Sequence, residues 1–106
     1  MLHDALLEAT GDELMDPEEI EIGKCYFFQT FGFFYVGKVT HRSFTTVTLS
    51  PCCWIPEVGR HTQAMESLDF AEVEVYPQPY KLSLVYVYGA MQIDEKKMPR
   101  KQKPAV

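Results

Sequence analysis

Basic residues are scarce through the middle of this chain. Between residues 23 and 95 the only ones are Lys24, Lys38, Arg42, Arg60 and Lys81. That is a poor footprint for duplex DNA, where neutralising phosphates supplies most of the affinity. No apolar run approaches the roughly 20 residues that span a bilayer, so no membrane partner is expected. The first 23 residues lack the basic start, apolar stretch and small-residue cleavage site of an export signal, and the expected compartment is the cytoplasm. Cysteine is too sparse for a disulfide framework: Cys25, Cys52 and Cys53 are an odd number, and all three read as thiols. Internal repeats and low-complexity runs are also missing.

What is present suits one small domain. The 106 residues are 46% hydrophobic and 13% aromatic, enough for one core and too few for two independent domains. Charge is segregated. Residues 1–22 carry eight acidic side chains and no Lys or Arg, whereas Lys96, Lys97, Arg100, Lys101 and Lys103 follow one another in a tail without an acid. Solvated termini are the plain explanation; pairing of opposite ends, within a chain or between neighbours, is the sharper one.

The pattern predicts an acidic segment over 1–21, a β domain over 22–94 and a basic, flexible tail over 95–106. Residues 3–9 suit a short helix ended by Gly11, and Asp16-Pro17-Glu18-Glu19 a turn or helix start. A first strand runs through Cys25 to Thr30, its Tyr26, Phe27 and Phe28 fitting a pleated, half-buried surface. Gly32 marks a hairpin turn. A second strand spans Phe34 to His41, with a bend at Gly37. A third spans Thr45 to Ser50 and ends at Pro51. Val58, His61, Met65 and Leu68 recur at helical spacing, so a helical insert is expected near 55–69. A fourth strand covers Ala71 to Tyr76. The last runs from Tyr80 to Ile93, with Leu82, Leu84, Tyr86 and Tyr88 on one face and Val85 and Val87 on the other. The fold class expected is mainly β: a five-stranded, SH3-like or Sm-like small barrel with a short N-terminal helix and that insert.

Two resemblances follow. Tyr35-Val36-Gly37-Lys38-Val39, Val47-Thr48-Leu49 and Val85-Tyr86-Val87-Tyr88-Gly89-Ala90 resemble the strands of Sm/Hfq-like barrels, a class that implies rings binding RNA. A wider set of motifs is similar to a group of small, uncharacterised proteins of bacteria and their phages. These are Gly23-Lys24-Cys25-Tyr26, Gly37-Lys38, the Trp-Ile-x-x-x-Gly-Arg segment from Trp54 to Arg60, Glu72-Val73-Glu74-Val75-Tyr76-Pro77, Gly89-Ala90 and Pro99-Arg100-Lys101-Gln102-Lys103. That resemblance implies a phage or mobile-element setting and brings no activity with it.

Several constellations could carry chemistry. Cys52 and Cys53 with His61 and Cys25 offer zinc-ligand types, but adjacent cysteines project differently, and a structural zinc usually takes two short-spaced pairs. A buried thiol beside a rim thiol is the plainer reading. The same cysteines with His41 or His61 supply the residue types of a thiol nucleophile without a recognised motif. Glu72 and Glu74, at strand spacing, read as solvent-facing partners rather than as an acid–base pair. No catalytic residue, metal or cofactor is assigned. Trp54, Arg60, Tyr86 and Tyr88 are the candidate interface residues, because Trp, Tyr and Arg dominate binding hot spots and a domain this small cannot bury all its aromatics. His41, Arg42 and Phe44 form the candidate nucleic-acid contact of the alternative, Sm-like reading, in which an aromatic stacks a base beside a cation. The function expected is a non-enzymatic assembly or interaction module: a homo-oligomer, a virion component or a binder of another phage or host protein. RNA binding is the less favoured alternative.

Overall fold

The computed structural model of the chain describes residues 19–104. The helix expected over 3–9 and most of the acidic segment lie outside them. Six strands form one antiparallel sheet: β1 (Cys25–Thr30), β2 (Phe34–Arg42), β3 (Thr46–Glu57), β4 (Glu72–Val75), β5 (Tyr80–Ser83) and β6 (Val87–Ile93). The hydrogen-bonded order is β4-β3-β2-β1-β6, and β5 pairs with the first part of β3. The ladder is not closed. One helix, α1 (His61–Ser67), lies between β3 and β4.

The early strands follow the alternation that predicts them. Gly32, at φ 86°, turns β1 into β2, and the Thr30 and Phe33 backbones exchange both hydrogen bonds across the turn, at 2.8 and 3.4 Å. β1 is apolar on both sides. Cys25 and Phe27 join one buried cluster, Tyr26 and Phe28 the other, so β1 is the spine shared by two cores. Fully burying such a side chain contributes roughly 1.5–3 kcal/mol.

The bend lies where the glycine marks it. A Cβ on Gly37 would sit 2.8 Å from both Leu49 Cβ and the Pro51 carbonyl oxygen. β3 passes so close to β2 there that only glycine fits. The pairing shifts register at the same point, from Gly37 opposite Cys52 to Val39 opposite Leu49.

That bulge corrects the first expectation. Pro51 does not end the third strand, which continues to Glu57. Ser50 and Pro51 together face Lys38, one residue more than the regular ladder takes, and a bulge is where a strand tolerates a proline that has no N–H to donate. The helical insert is correspondingly shorter. Pro56 is still in β3, and α1 begins at His61, after Gly59 turns the chain at φ 82°. The helix ends at Leu68 in the left-handed region (φ 60°), whose N–H donates to the Ala64 carbonyl at 2.7 Å.

The second correction concerns the last strand. A 3₁₀ turn at Leu84–Tyr86 divides it into β5 and β6, which makes six strands rather than five. Unbroken alternation would put Leu82 and Val87 on opposite faces. The turn shifts the phase so that both enter one core, and Val85 and Tyr86 are left outside, 73% and 66% exposed.

The two cores are finished differently. On one face Phe27, Val36, Cys53 and Ile55 are covered by Ala64 and Leu68 of α1, by Phe70 and by Met98. On the other, the bent sheet folds over Phe28, Val39, Leu49, Cys52 and Leu82. Residues 95–104, expected as a flexible tail, lie against the first face. Met98 is buried, Lys103 exchanges backbone hydrogen bonds with Val73 at 2.8 and 2.9 Å, and Gln102 bonds the Val75 N–H and, at 3.1 Å, Glu74. Ion pairs tie the tail to the domain: Lys103 pairs with Asp69 at 2.9 Å, and Glu95, which also takes Arg100 at 3.5 Å, pairs with Lys38 of β2 at 3.2 Å.

Candidate interaction surface

The hairpin turn after β1 and the 3₁₀ turn before β6 meet at one end of the sheet, because Thr30 stands opposite Val87 in the β1–β6 ladder. Neither turn can bury its aromatics. Phe31, Phe33, Tyr86 and Tyr88 are 77%, 49%, 66% and 54% exposed. Phe31 meets Tyr88 edge-on at 6.2 Å between ring centroids, and Phe33 meets Trp54 edge-on at 6.0 Å. Between the turns runs a groove of about 430 Å³, lined by Phe31, Phe33, Tyr35, Tyr80, Leu82 and Tyr86 among others.

A tyrosine cluster forms the groove's floor. Tyr35 stacks on Tyr80 at 5.2 Å, and Tyr76 packs against Tyr80 at 5.0 Å. Burial, and then interaction with the phenol of Tyr80, pushes Tyr35 well above the ordinary phenol range. Tyr76 is raised mainly by burial. Tyr35 and Tyr76 are thus held in the neutral phenol form, and Lys81 is the charged residue along the groove. Trp54 stands opposite Tyr35 on one side and Glu74 on the other. Its Nε1 is buried and has no hydrogen-bond partner among the described residues.

Of the four interface candidates, the Phe31–Phe33 turn links three. Tyr86 shares the groove with Phe33, Tyr88 touches Phe31, and Trp54 touches Phe33. Arg60 lies apart. It precedes α1, whose buried residues pack on the Cys53 and Ile55 side of the sheet, and it borders a separate hollow with His61 and Glu66. Phe31 and Phe33 fall in the aromatic excess of Tyr26–Tyr35 but are not among the four named candidates, because the positions around Gly32 read as a turn. Aromatics on both sides of a tight glycine turn have little core within reach, and that was the available signal.

His41, Arg42 and Phe44 sit together at the β2–β3 hairpin. Ser43 shapes this turn: its Oγ accepts from the N–H groups of Thr45 and Thr46 at 3.2 and 3.1 Å. Phe44 points outward, 81% exposed.

The thiols are separated by strand alternation. Cys53 belongs to the helix-covered core and Cys52 to the opposite one, so their adjacency gives no chelating pair. Burial raises the Cys52 thiol to about 12 and the Cys53 thiol to about 11, and Cys25 is raised chiefly by the same cause. The Cys53 thiol donates to the Pro99 carbonyl at 3.3 Å. His61 packs on Phe34, with ring centroids 6.5 Å apart. Among the described residues no three His, Cys, Asp or Glu side chains converge as metal ligands, and no helix is long and apolar enough to cross a membrane. No protein-family model, curated protein or solved structure matches this chain.

Proposed function

We propose that this chain is a non-enzymatic assembly and interaction module, built on an SH3-like or Sm-like small barrel and working in a phage or mobile-element setting. It would act in the cytoplasm or within a virion, joining copies of itself or binding another phage or host protein. The observation that carries this reading is the exposed set Phe31, Phe33, Tyr86 and Tyr88 beside one groove. Aromatics are enriched in the centres of protein interfaces and depleted elsewhere on surfaces. The barrel reading has support from the chain path. β5 pairs with β3 and β6 with β1, and only the three-residue 3₁₀ turn separates β5 from β6. One bent segment therefore reaches both edges of the sheet, which is how short strands curl towards closure.

A second reading, an Sm-like RNA binder, is favoured by Phe44, which stands exposed in the same hairpin as His41 and Arg42. Base stacking on one aromatic is worth roughly 1–3 kcal/mol, so Phe44→Ala would weaken single-stranded RNA binding by about 5- to 150-fold if that reading held.

Native mass spectrometry with and without nuclease separates the two. The assembly reading expects oligomers whose mass is unchanged by nuclease and which dissociate in Phe31→Asp/Tyr86→Asp, with Phe44→Ala silent. An oligomer that loses mass on nuclease treatment, and RNA affinity in Phe44→Ala, would replace it with the RNA reading. A monomer that captures no protein would overturn the assembly reading.

A further inference from the structure

The fold gathers the basic run of the sequence around one hollow. Residues 96–103 cross the helix-covered face, held there by the Val73–Lys103 backbone pair and by Gln102 on Glu74. Between them and the α1–β4 connection lies a hollow of about 470 Å³. Phe70 and Met98, almost fully buried, give it an apolar depth, and Lys96, Arg100, Lys101 and Lys103 stand around it. Asp69 is the one acid in its lining, and it is taken by Lys103. Arg100 has Glu95. Among the described residues the side chains of Lys96 and Lys101 have no ionic partner. Cations held this close together repel one another until acids answer them.

We propose that residues 1–18 dock in this hollow of their own chain, their acids on Lys96 and Lys101 and their leucines against the apolar depth. Three observations choose that occupant. The first is charge. The segment holds Asp4, Glu8, Asp12, Glu13, Asp16 and Glu18 with no Lys or Arg, and without those six the remaining residues carry ten basic side chains against nine acidic. The second is composition: Leu2, Leu6, Leu7 and Leu14 lie among the acids, which suits an apolar hollow ringed by cations. The third is where the described chain begins. Ile20 is fully buried, and the Glu21 N–H donates to the Tyr26 hydroxyl at 2.9 Å. Cys25 stands opposite Ile93 in the β1–β6 ladder, so the segment joins the sheet at the same end from which the basic run leaves it. An extended chain gains about 3.3–3.6 Å per residue, and the hollow is well within that reach. Isolated exposed ion pairs hold little, but a segment covalently joined beside its site has an effective concentration on the order of millimolar, which favours it over the same segment of a neighbour. The docked segment closes the most basic surface of the described chain to other anions. This goes beyond the assembly reading and does not depend on it, because the hollow belongs to the helix-covered core and the aromatic groove to the other.

Amide NMR spectra of the full, ¹⁵N-labelled chain test this, with Leu68, Asp69, Phe70 and Val73 as reporters in and beside the hollow. Glu8→Lys/Glu13→Lys should shift those four signals and leave the signals of Phe31 and Tyr86, at the aromatic groove, in place. Salt raised to about 1 M should shift the same four in the wild type, because it screens the pairs, and should add little in the reversed variant. Adding Lys96→Glu/Lys101→Glu to Glu8→Lys/Glu13→Lys restores opposite charges and should bring the reporters back towards their wild-type positions. All of these shifts should be independent of protein concentration. Reporters indifferent to Glu8→Lys/Glu13→Lys would overturn the docking and leave residues 1–18 as a solvated terminus. Shifts that grow with protein concentration would overturn docking within one chain and assign the hollow to the segment of a neighbouring copy. Should the fourfold variant fail to fold, the comparison of salt series in the wild type and Glu8→Lys/Glu13→Lys decides alone: equal salt shifts in the two overturn the proposal.

Discussion

The two faces of the sheet use similar side chains to different ends. On the first, Phe27, Val36, Cys53 and Ile55 disappear beneath α1, Phe70 and Met98, and the last described residues of the chain are tied down over them by Lys103 and Gln102. On the second, the sheet covers itself by bending at Gly37, and where it runs out the packing turns from aliphatic to tyrosine. Beyond those tyrosines the aromatics stand in solvent. A face covered by added elements has little left to offer a partner. A face closed by curvature ends in a rim, and here the rim holds Phe31, Phe33, Tyr86 and Tyr88. The uneven exposure of aromatics on the molecule follows from how each core is closed.

The comparison breaks most sharply if the faces fold separately. Phe28→Ala empties the bent core and Phe70→Ala the covered one; both side chains are almost fully buried. Each should cost about 3–5 kcal/mol, a large part of the 5–15 kcal/mol typical of a small domain. Because β1 sends Phe27 to one core and Phe28 to the other, both variants should unfold in urea through a single transition at a lower midpoint. A biphasic curve for Phe70→Ala, with one phase at the wild-type midpoint, would show that α1 and its cover are a separable layer.

A smaller effect separates the faces by titration. Cys52 belongs to the bent core and Cys53 to the covered one, with thiols raised to about 12 and about 11. The folded state therefore holds protons that the unfolded chain, with ordinary thiols near 9, gives up. Between those values unfolding releases protons, so stability is full below about pH 9 and falls as the pH rises towards 12. Tyr35 acts in the same direction. The urea midpoint should be level from pH 7 to 8.5 and lower at pH 10.5. At pH 8 a thiol reagent should label neither Cys52 nor Cys53 until the protein unfolds. Rapid labelling of Cys53 alone would mean that the cover over its face, including the Pro99 carbonyl, opens in the native state.

Much of this was legible in the chain. β1, the Gly32 turn, most of β2 and the glycine bend follow from alternation and from the positions that only glycine fits. What was not legible depends on partners distant in sequence. Pro51 reads as a strand end until Lys38, next to the close approach at Gly37, is known to lie opposite the bulge that accommodates it. Residues 80–93 read as one strand because nothing local says that Leu82 and Val87 must enter the same core. Tyr86 and Tyr88 were legible as aromatic excess, whereas their meeting with Phe31 and Phe33 depends on β6 pairing with β1. Trp54 and Arg60, six residues apart, looked like one site, but the turn at Gly59 sends Arg60 towards the helix-covered side.

The smallest expected effect on stability tests the rim. Phe31→Ser, Tyr86→Ser and Phe44→Ser each remove a side chain at least 66% exposed, and surface substitutions of this kind usually stay within about 0.5 kcal/mol. Urea midpoints of all three should match wild type. Their solution behaviour should divide. Phe31→Ser and Tyr86→Ser should lower self-association or partner capture, and Phe44→Ser, on the β2–β3 hairpin and outside the groove's lining, should leave both unchanged. If Phe31→Ser or Tyr86→Ser instead costs 2 kcal/mol or more, a scale typical of buried aliphatics, that ring packs inside the monomer. The rim would then be part of the second core, and the contrast between a covered face and an open one would disappear.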